Sequence, residues 1–188
     1  MTMDHGGFPS GSQTVGPFFR IGLEYLQAWA PVLHPGSPGS MEIRGRVLDR
    51  DGAPVPDALL EFWSADPSGK YSEAPRVEGY PAGFYRVATD LGGSFSLVAI
   101  KPDPVPFVDD RTQAPHMLVL VFARGLMRHL VTRVYFDDEP GNAADPVLLE
   151  VPAERRATLV ARRDASNSGA FYWNVILQGE DETVFFAW

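Results

Sequence analysis

The chain has 188 residues, 16 basic against 24 acidic side chains, a net charge of −8 and no cysteine. One domain with a sizeable core is expected at this length. The acidic balance argues against nucleic acid and anionic membranes, which select clustered Lys and Arg, and the absence of cysteine excludes disulfides, thiolate metal sites and thiol nucleophiles.

In chain order, Met1–Ser12 is rich in Gly and Ser and reads as a mobile tail or one ordered only by a partner. Gln13–Phe19 (QTVGPFF) reads as an extended apolar arm. Phe18 and Phe19 pack either on their own domain or on another chain. Ile21–Ala30 is either a short helix or an irregular apolar segment, and Leu33–Ser40, with two Pro and two Gly, is a linker. This gives residues 1–40 as arm and linker and 41–188 as a folded unit. Candidate strands then follow at short intervals: Met41–Asp49, Ala58–Ala65, Phe84–Thr89, Ser94–Ile100, His116–Ala123, His129–Phe136, Thr158–Arg163, Phe171–Gln178 and Thr183–Phe186. Asp51-Gly52, Asp90–Gly93 and Asn167–Gly169 supply turns, and Pro152–Arg156 forms a helical turn. Strands this short and regular predict an all-β chain, an antiparallel β-sandwich with an extended N-terminal arm. No basic stretch leads into an apolar run at the N-terminus, and no apolar run approaches ~18 residues, so a cytoplasmic protein is expected.

Four histidines are present: His5, His34, His116 and His129. No two share helical or strand ligand spacing, so local spacing gives no zinc or 2-His-1-carboxylate motif. His116 stands where a proline-rich loop becomes a strand, and Leu118 shares its face. His116 reads as a hydrogen-bonded histidine at a strand end, and His129 as a surface strand residue. No G-x-S-x-G elbow occurs, and Asp137-Asp138-Glu139 lacks EF-hand spacing and reads as a solvated acidic turn.

Several blocks in order carry a resemblance over nearly the whole chain: SQTVGPFF, GRVLDRDGAPVPDALLEFWSADPSGKY, KPDPVP, APHMLVLVFARG, LVTRVYFDDE, ADPVL, ERRATLVARR and LQGEDETVFF. They resemble the intradiol ring-cleaving dioxygenases. That resemblance implies Fe(III) chemistry with O₂ on a catechol acid, with two tyrosines and two histidines as the iron ligands of an active chain. By position these four fall on Tyr71, Val105, His116 and Leu118. Two of the four carry no donor, so the resemblance points to an iron-free alpha-type chain. It would form a hetero-oligomer with a homologous beta chain that holds the Fe(III), and the isolated chain would be inactive. In such chains Thr14, Gly16, Pro17 and the Arg133 of a TR-x-YF motif line the partner's substrate pocket. Without that resemblance, Arg133 reads as a surface arginine paired with Asp137 or Glu139, and Tyr71 as a packed or solvated loop tyrosine.

A second class stays open. GRVLDRDGAPVPDALLEF also resembles the strand-turn-strand opening of transthyretin-like domains, which implies a non-enzymatic binding or scaffold module.

Overall fold

Strands form where apolar residues alternate, and their inward faces make one core. The computed structural model describes residues 11–27, 34–66, 69–71 and 83–187. After helix α1 (Pro17–Gln27) come β1 (Ser40–Leu48), β2 (Leu59–Ser64), β3 (Phe84–Ala88), β4 (Ser94–Ile100), β5 (Val105–Pro106), β6 (Thr112–Gln113), β7 (His116–Phe122), β8 (Leu130–Phe136), β9 (Val160–Asp164), β10 (Asn167–Tyr172) and β11 (Val175–Ile176). Short 3₁₀ turns at Pro140–Ala144, Leu148–Glu150 and Arg156–Leu159 link β8 to β9.

Among the described residues, nine strands form one sheet in the order β11-β1-β10-β9-β8-β7-β2-β3, with β4 on the other side of β1. β3 and β4 meet where the Tyr85 hydroxyl of β3 accepts the Ile100 amide of β4 at 3.1 Å. Ile43, Val47, Phe62, Phe95, Met117, Val119, Val134, Phe136 and Phe171 fill the space enclosed. Burial of such side chains is the main term holding the fold.

The mostly-β expectation holds, but the sheet is mixed. The β1–β10, β1–β11 and β8–β9 pairs are parallel. Short spacing between segments predicts antiparallel neighbours. It carries no information on pairs such as β8–β9, where a long stretch of turns returns the chain in its original direction. Asn167–Gly169, expected as a turn, begins β10. Phe171–Gln178 is divided between β10 and β11, and Thr183–Phe186 is not a strand. The divide has a steric cause. Gly45 on β1 lies against the Trp173 carbonyl, and a Cβ there would sit 1.7 Å from that oxygen. Only glycine lets the two backbones approach so closely.

The arm also differs from expectation. Phe18 and Phe19 sit in the first turn of α1, because Pro17 at the first helical position has the φ a helix needs. Phe19 packs on Phe122 with ring centroids 5.3 Å apart, while Phe18 is 79% exposed. Of the described residues ahead of α1, 11–16 are non-helical. Val184, Phe185 and Phe186 near the C-terminus are half-buried against the cores. His5, residues 28–33, Trp188 and the side chain of Pro17 lie outside the described residues.

Candidate functional site

The hairpin β7–β8 has two faces. Met117, Val119 and Val121 point into the core with Val134 and Phe136. The other face carries His116 and Leu118, directly opposite Tyr135 and Arg133. Directly opposed residues lie on one face with Cβ atoms about 4.5–5.5 Å apart, so these four side chains form one patch.

His116 is 1% exposed. Its Nδ1 lies 2.8 Å from the Ala114 carbonyl and its Nε2 lies 3.3 Å from the Tyr71 hydroxyl. A carbonyl only accepts, so Nδ1 donates and Nε2 accepts the phenol proton. Gly69 brings Tyr71 here: it has φ +74, and a Cβ on it would meet the Pro104 carbonyl at 2.5 Å. Arg133 Nη1 donates to Gln113 Oε1 at 2.7 Å and reaches the Tyr135 hydroxyl at 3.4 Å. Val105 sits opposite Gln113 in the β5–β6 pair. Thus Tyr71, Val105 and the His116–Leu118 pair, from three separate segments, border one patch.

Asp145 anchors the patch from below. It is fully buried and accepts from the Ala114, Val147 and Leu148 amides and from the Tyr135 hydroxyl, at 2.7–3.1 Å. Nothing in the ADPVL block singled Asp145 out, since two of its four partners, Ala114 and Tyr135, come from other segments. Neither Asp137 nor Glu139 pairs with Arg133. Lys101 binds Asp138 and Glu139, Arg163 binds Asp138, and Asp137 caps the Arg163 amide. Asp138 and Glu139 are therefore part of an ion-pair network, while Asp137 is exposed as expected of a solvated turn.

Burial, reinforced by the Arg133 charge, lowers the His116 pKa from 6.5 to about 4. Burial raises that of Tyr71, against the opposing pull of Arg133. His116 is thus neutral at pH 7, while in the unfolded chain it gains a proton near pH 6.5. Its contribution to stability is full above pH 6.5 and is lost as pH falls towards 4, by about 3 kcal/mol in all. Thermal unfolding between pH 7 and 4 should show His116→Gln losing less stability on acidification than the wild type. Parallel pH profiles for the two proteins would contradict this.

This patch does not suit a ferric ion. Fe(III) prefers several anionic oxygen donors, but Val105 and Leu118 offer none and the two donors present are hydrogen-bonded to each other. No group of three or more His, Asp or Glu is placed to hold a metal ion among the described residues.

A second region lies at the opposite, turn end of the β7–β8 hairpin. Thr14 Oγ1 accepts the Gly125 amide at 2.8 Å. An open groove of about 640 Å³ runs between the arm, the hairpin turn and the C-terminal segment, lined by Gln13, Val15, Phe122, Met127, His129 and Phe186. His129 precedes β8 and stacks near Phe122 at 5.3 Å. Gly16 is exposed with nothing within 4 Å of a Cβ built on it. Arg133 is not part of this region. Two arginines belong to this end of the hairpin: Arg128 lines the groove with Gln13 and Val15, and Arg124, next to Gly125 in sequence, is 55% exposed and lies 3.8 Å from Asp57. Arg124 is the penultimate residue of the APHMLVLVFARG block, and its position next to the hairpin turn was the available signal.

The family model described as Dioxygenase matches residues 30–179. The chain is 42% identical over 191 residues to the protocatechuate 3,4-dioxygenase alpha chain of Burkholderia cepacia, covering 93% of this chain and 95% of that one. It is 30% identical over 154 residues to the beta chain from the same organism, covering 75% of this chain and 65% of the beta chain. The dioxygenase domain of a dioxygenase–carbohydrate-binding fusion from Streptomyces sp. SirexAA-E shares the fold, with a TM-score of 0.59 at 23% identity over 95% of this chain and 96% of that one.

Proposed function

Because this chain belongs to the intradiol dioxygenase family, we propose that it is the alpha-type subunit of a hetero-oligomeric protocatechuate 3,4-dioxygenase, a cytoplasmic enzyme in which a homologous beta chain holds the Fe(III). The reaction is O₂-dependent cleavage of 3,4-dihydroxybenzoate between its hydroxylated carbons, giving 3-carboxy-cis,cis-muconate. The observation that carries the reading is the gathered but donor-poor set Tyr71, Val105, His116 and Leu118, together with the similarity to an alpha chain along almost the full length. The transthyretin-like module explains only the first strands, whereas the family match runs to residue 179.

In this proposal the groove end of the hairpin faces the partner. Thr14, Gly16 and Pro17 line the pocket beside the partner's iron, and Gly16 admits close backbone approach. The substrate is an anion, so a guanidinium near its carboxylate stabilises it by a charge-assisted hydrogen bond. The TR-x-YF motif assigns that role to Arg133. Arg124, half-exposed and next to the Gly125 that holds Thr14, is a second candidate on the arm's side of the hairpin. Exposed Phe18 and Met127 give this side of the molecule apolar surface for the partner.

The test is reconstitution. Purified alone and supplied with iron, the chain should hold no stoichiometric metal, show no visible tyrosinate-to-Fe(III) band and cleave no catechol. Co-expressed with a beta-type chain, it should co-purify in an active complex with one iron per pair. A coloured, active protein from this chain alone would defeat the proposal, as would a beta chain fully active without it.

A further inference from the structure

We infer that Arg133 is this chain's substitute for a metal ion: a fixed positive charge that keeps the Tyr71–His116 site metal-free even when ligands are available. The placement comes from strand register. Leu118, where a second imidazole would stand, is directly opposite Arg133, and His116 is directly opposite Tyr135. Val105, where a second phenolate would stand, is opposite Gln113, whose Oε1 accepts Arg133 Nη1 at 2.7 Å. The guanidinium therefore neighbours both missing ligand positions and lies near the two donors that remain.

The charge is also held in place. Gln113 and the Tyr135 hydroxyl fix Nη1, and Tyr135 is fixed in turn by Asp145 at 3.1 Å. No acidic side chain pairs with Arg133 among the described residues, because Asp137, Asp138 and Glu139 are engaged by Lys101 and Arg163. Asp145 is shared among three backbone amides and Tyr135. A guanidinium with no carboxylate paired directly to it, Asp145 being reached only through Tyr135, repels a trivalent ion at a neighbouring position in a half-buried setting. A planar cation with several donors can also organise neutral acceptors, here an amide oxygen and a phenol, as a metal organises ligands. The loss of iron is thus more than the loss of two donors.

This inference uses the family's iron site but not the assignment of the partner pocket, and its test reads metal rather than turnover. Val105→Tyr and Leu118→His restore the two donors in the full-length chain, alone or in the complex, with iron counted above the wild-type background. With Arg133 kept, this double variant should remain at background. Adding Arg133→Gln, or Arg133→Met, should yield one further iron per chain and a visible charge-transfer band, with affinity higher by at least about a hundredfold. Adding Arg133→Lys should leave iron at background, since the charge remains. In the otherwise unaltered chain, Arg133→Gln should raise Zn(II) affinity by about tenfold, and His116→Ala should abolish that gain. Iron uptake by the double variant with Arg133 present would overturn the inference. So would equal uptake in the Lys and Gln versions, or folded Gln and Met versions that stay iron-free. A Zn(II) affinity unmoved by Arg133→Gln would also overturn it.

Discussion

Replacing Arg124 with alanine in the reconstituted complex is expected to leave assembly and iron content intact and to lower kcat/KM for the anionic substrate sharply. A charge-assisted contact contributes roughly 1.5–3 kcal/mol, so the fall should be about tenfold to a hundredfold. The side chain is suited to the task. It is half-exposed, its nearest acid is 3.8 Å away, and the adjacent Gly125 holds Thr14 of the arm. Arg124→Lys should recover only part of the loss, because an ammonium lacks the planar fork that matches a carboxylate. Thr14→Ala frees the arm from Gly125 and should lower kcat/KM in the same direction by a smaller factor. Steady-state kinetics with Arg133→Ala measured in parallel decide between the two arginines. If Arg133→Ala causes the loss and Arg124→Ala does not, the family motif is the better guide and the placement of the arm against Gly125 does not survive assembly.

Asp145→Ala should be the most damaging single change to stability. The carboxylate takes four hydrogen bonds in a fully buried position. Alanine would leave the buried Ala114 and Leu148 amides without an acceptor, at about 1–3 kcal/mol each, and would release Tyr135. A total loss of about 3–5 kcal/mol is a large share of the ~5–15 kcal/mol available to a domain. Asp145→Asn should cost less in volume yet still destabilise, since its NH₂ group must face at least one donor. Because Asp145 holds both the Ala114 amide and Tyr135, its loss should also loosen the Tyr71–His116 contact. Chemical denaturation of the complex would reveal this, and a change below about 1 kcal/mol for Asp145→Ala would show that water or backbone movement replaces the carboxylate.

The opposite balance at Phe18 and Phe19 shows how local reading divides. The pair was legible as apolar, and one member does pack on its own domain while the other faces outward. Gly-Pro was read as a sign of extended chain, yet Pro at a first helical position starts a helix as readily as it ends one. Arg133 is the complementary case. Its neighbourhood in sequence offered Asp137 and Glu139 as partners, but residues i, i+4 and i+6 around a strand end do not meet as they would on a helix. The side chain that meets Arg133 is Gln113, from a different strand.

By itself the sequence determined the mostly-β class, the strand positions set by alternation, and the family, since many blocks in fixed order identify a lineage. It also determined that Val105 and Leu118 cannot donate to a metal, because donor chemistry belongs to the side chain and needs no neighbours. Only the tertiary structure decided which residues stand together. The parallel pairings of β8 with β9 and of β1 with β10 depend on long connections. The guanidinium opposite Leu118 depends on strand register, while the proton between Tyr71 and His116 and the arm set against Gly125 depend on loops that the folded sheet brings together. Register is fixed by burying one face of each strand across the whole sheet, a collective condition that no local stretch of residues contains.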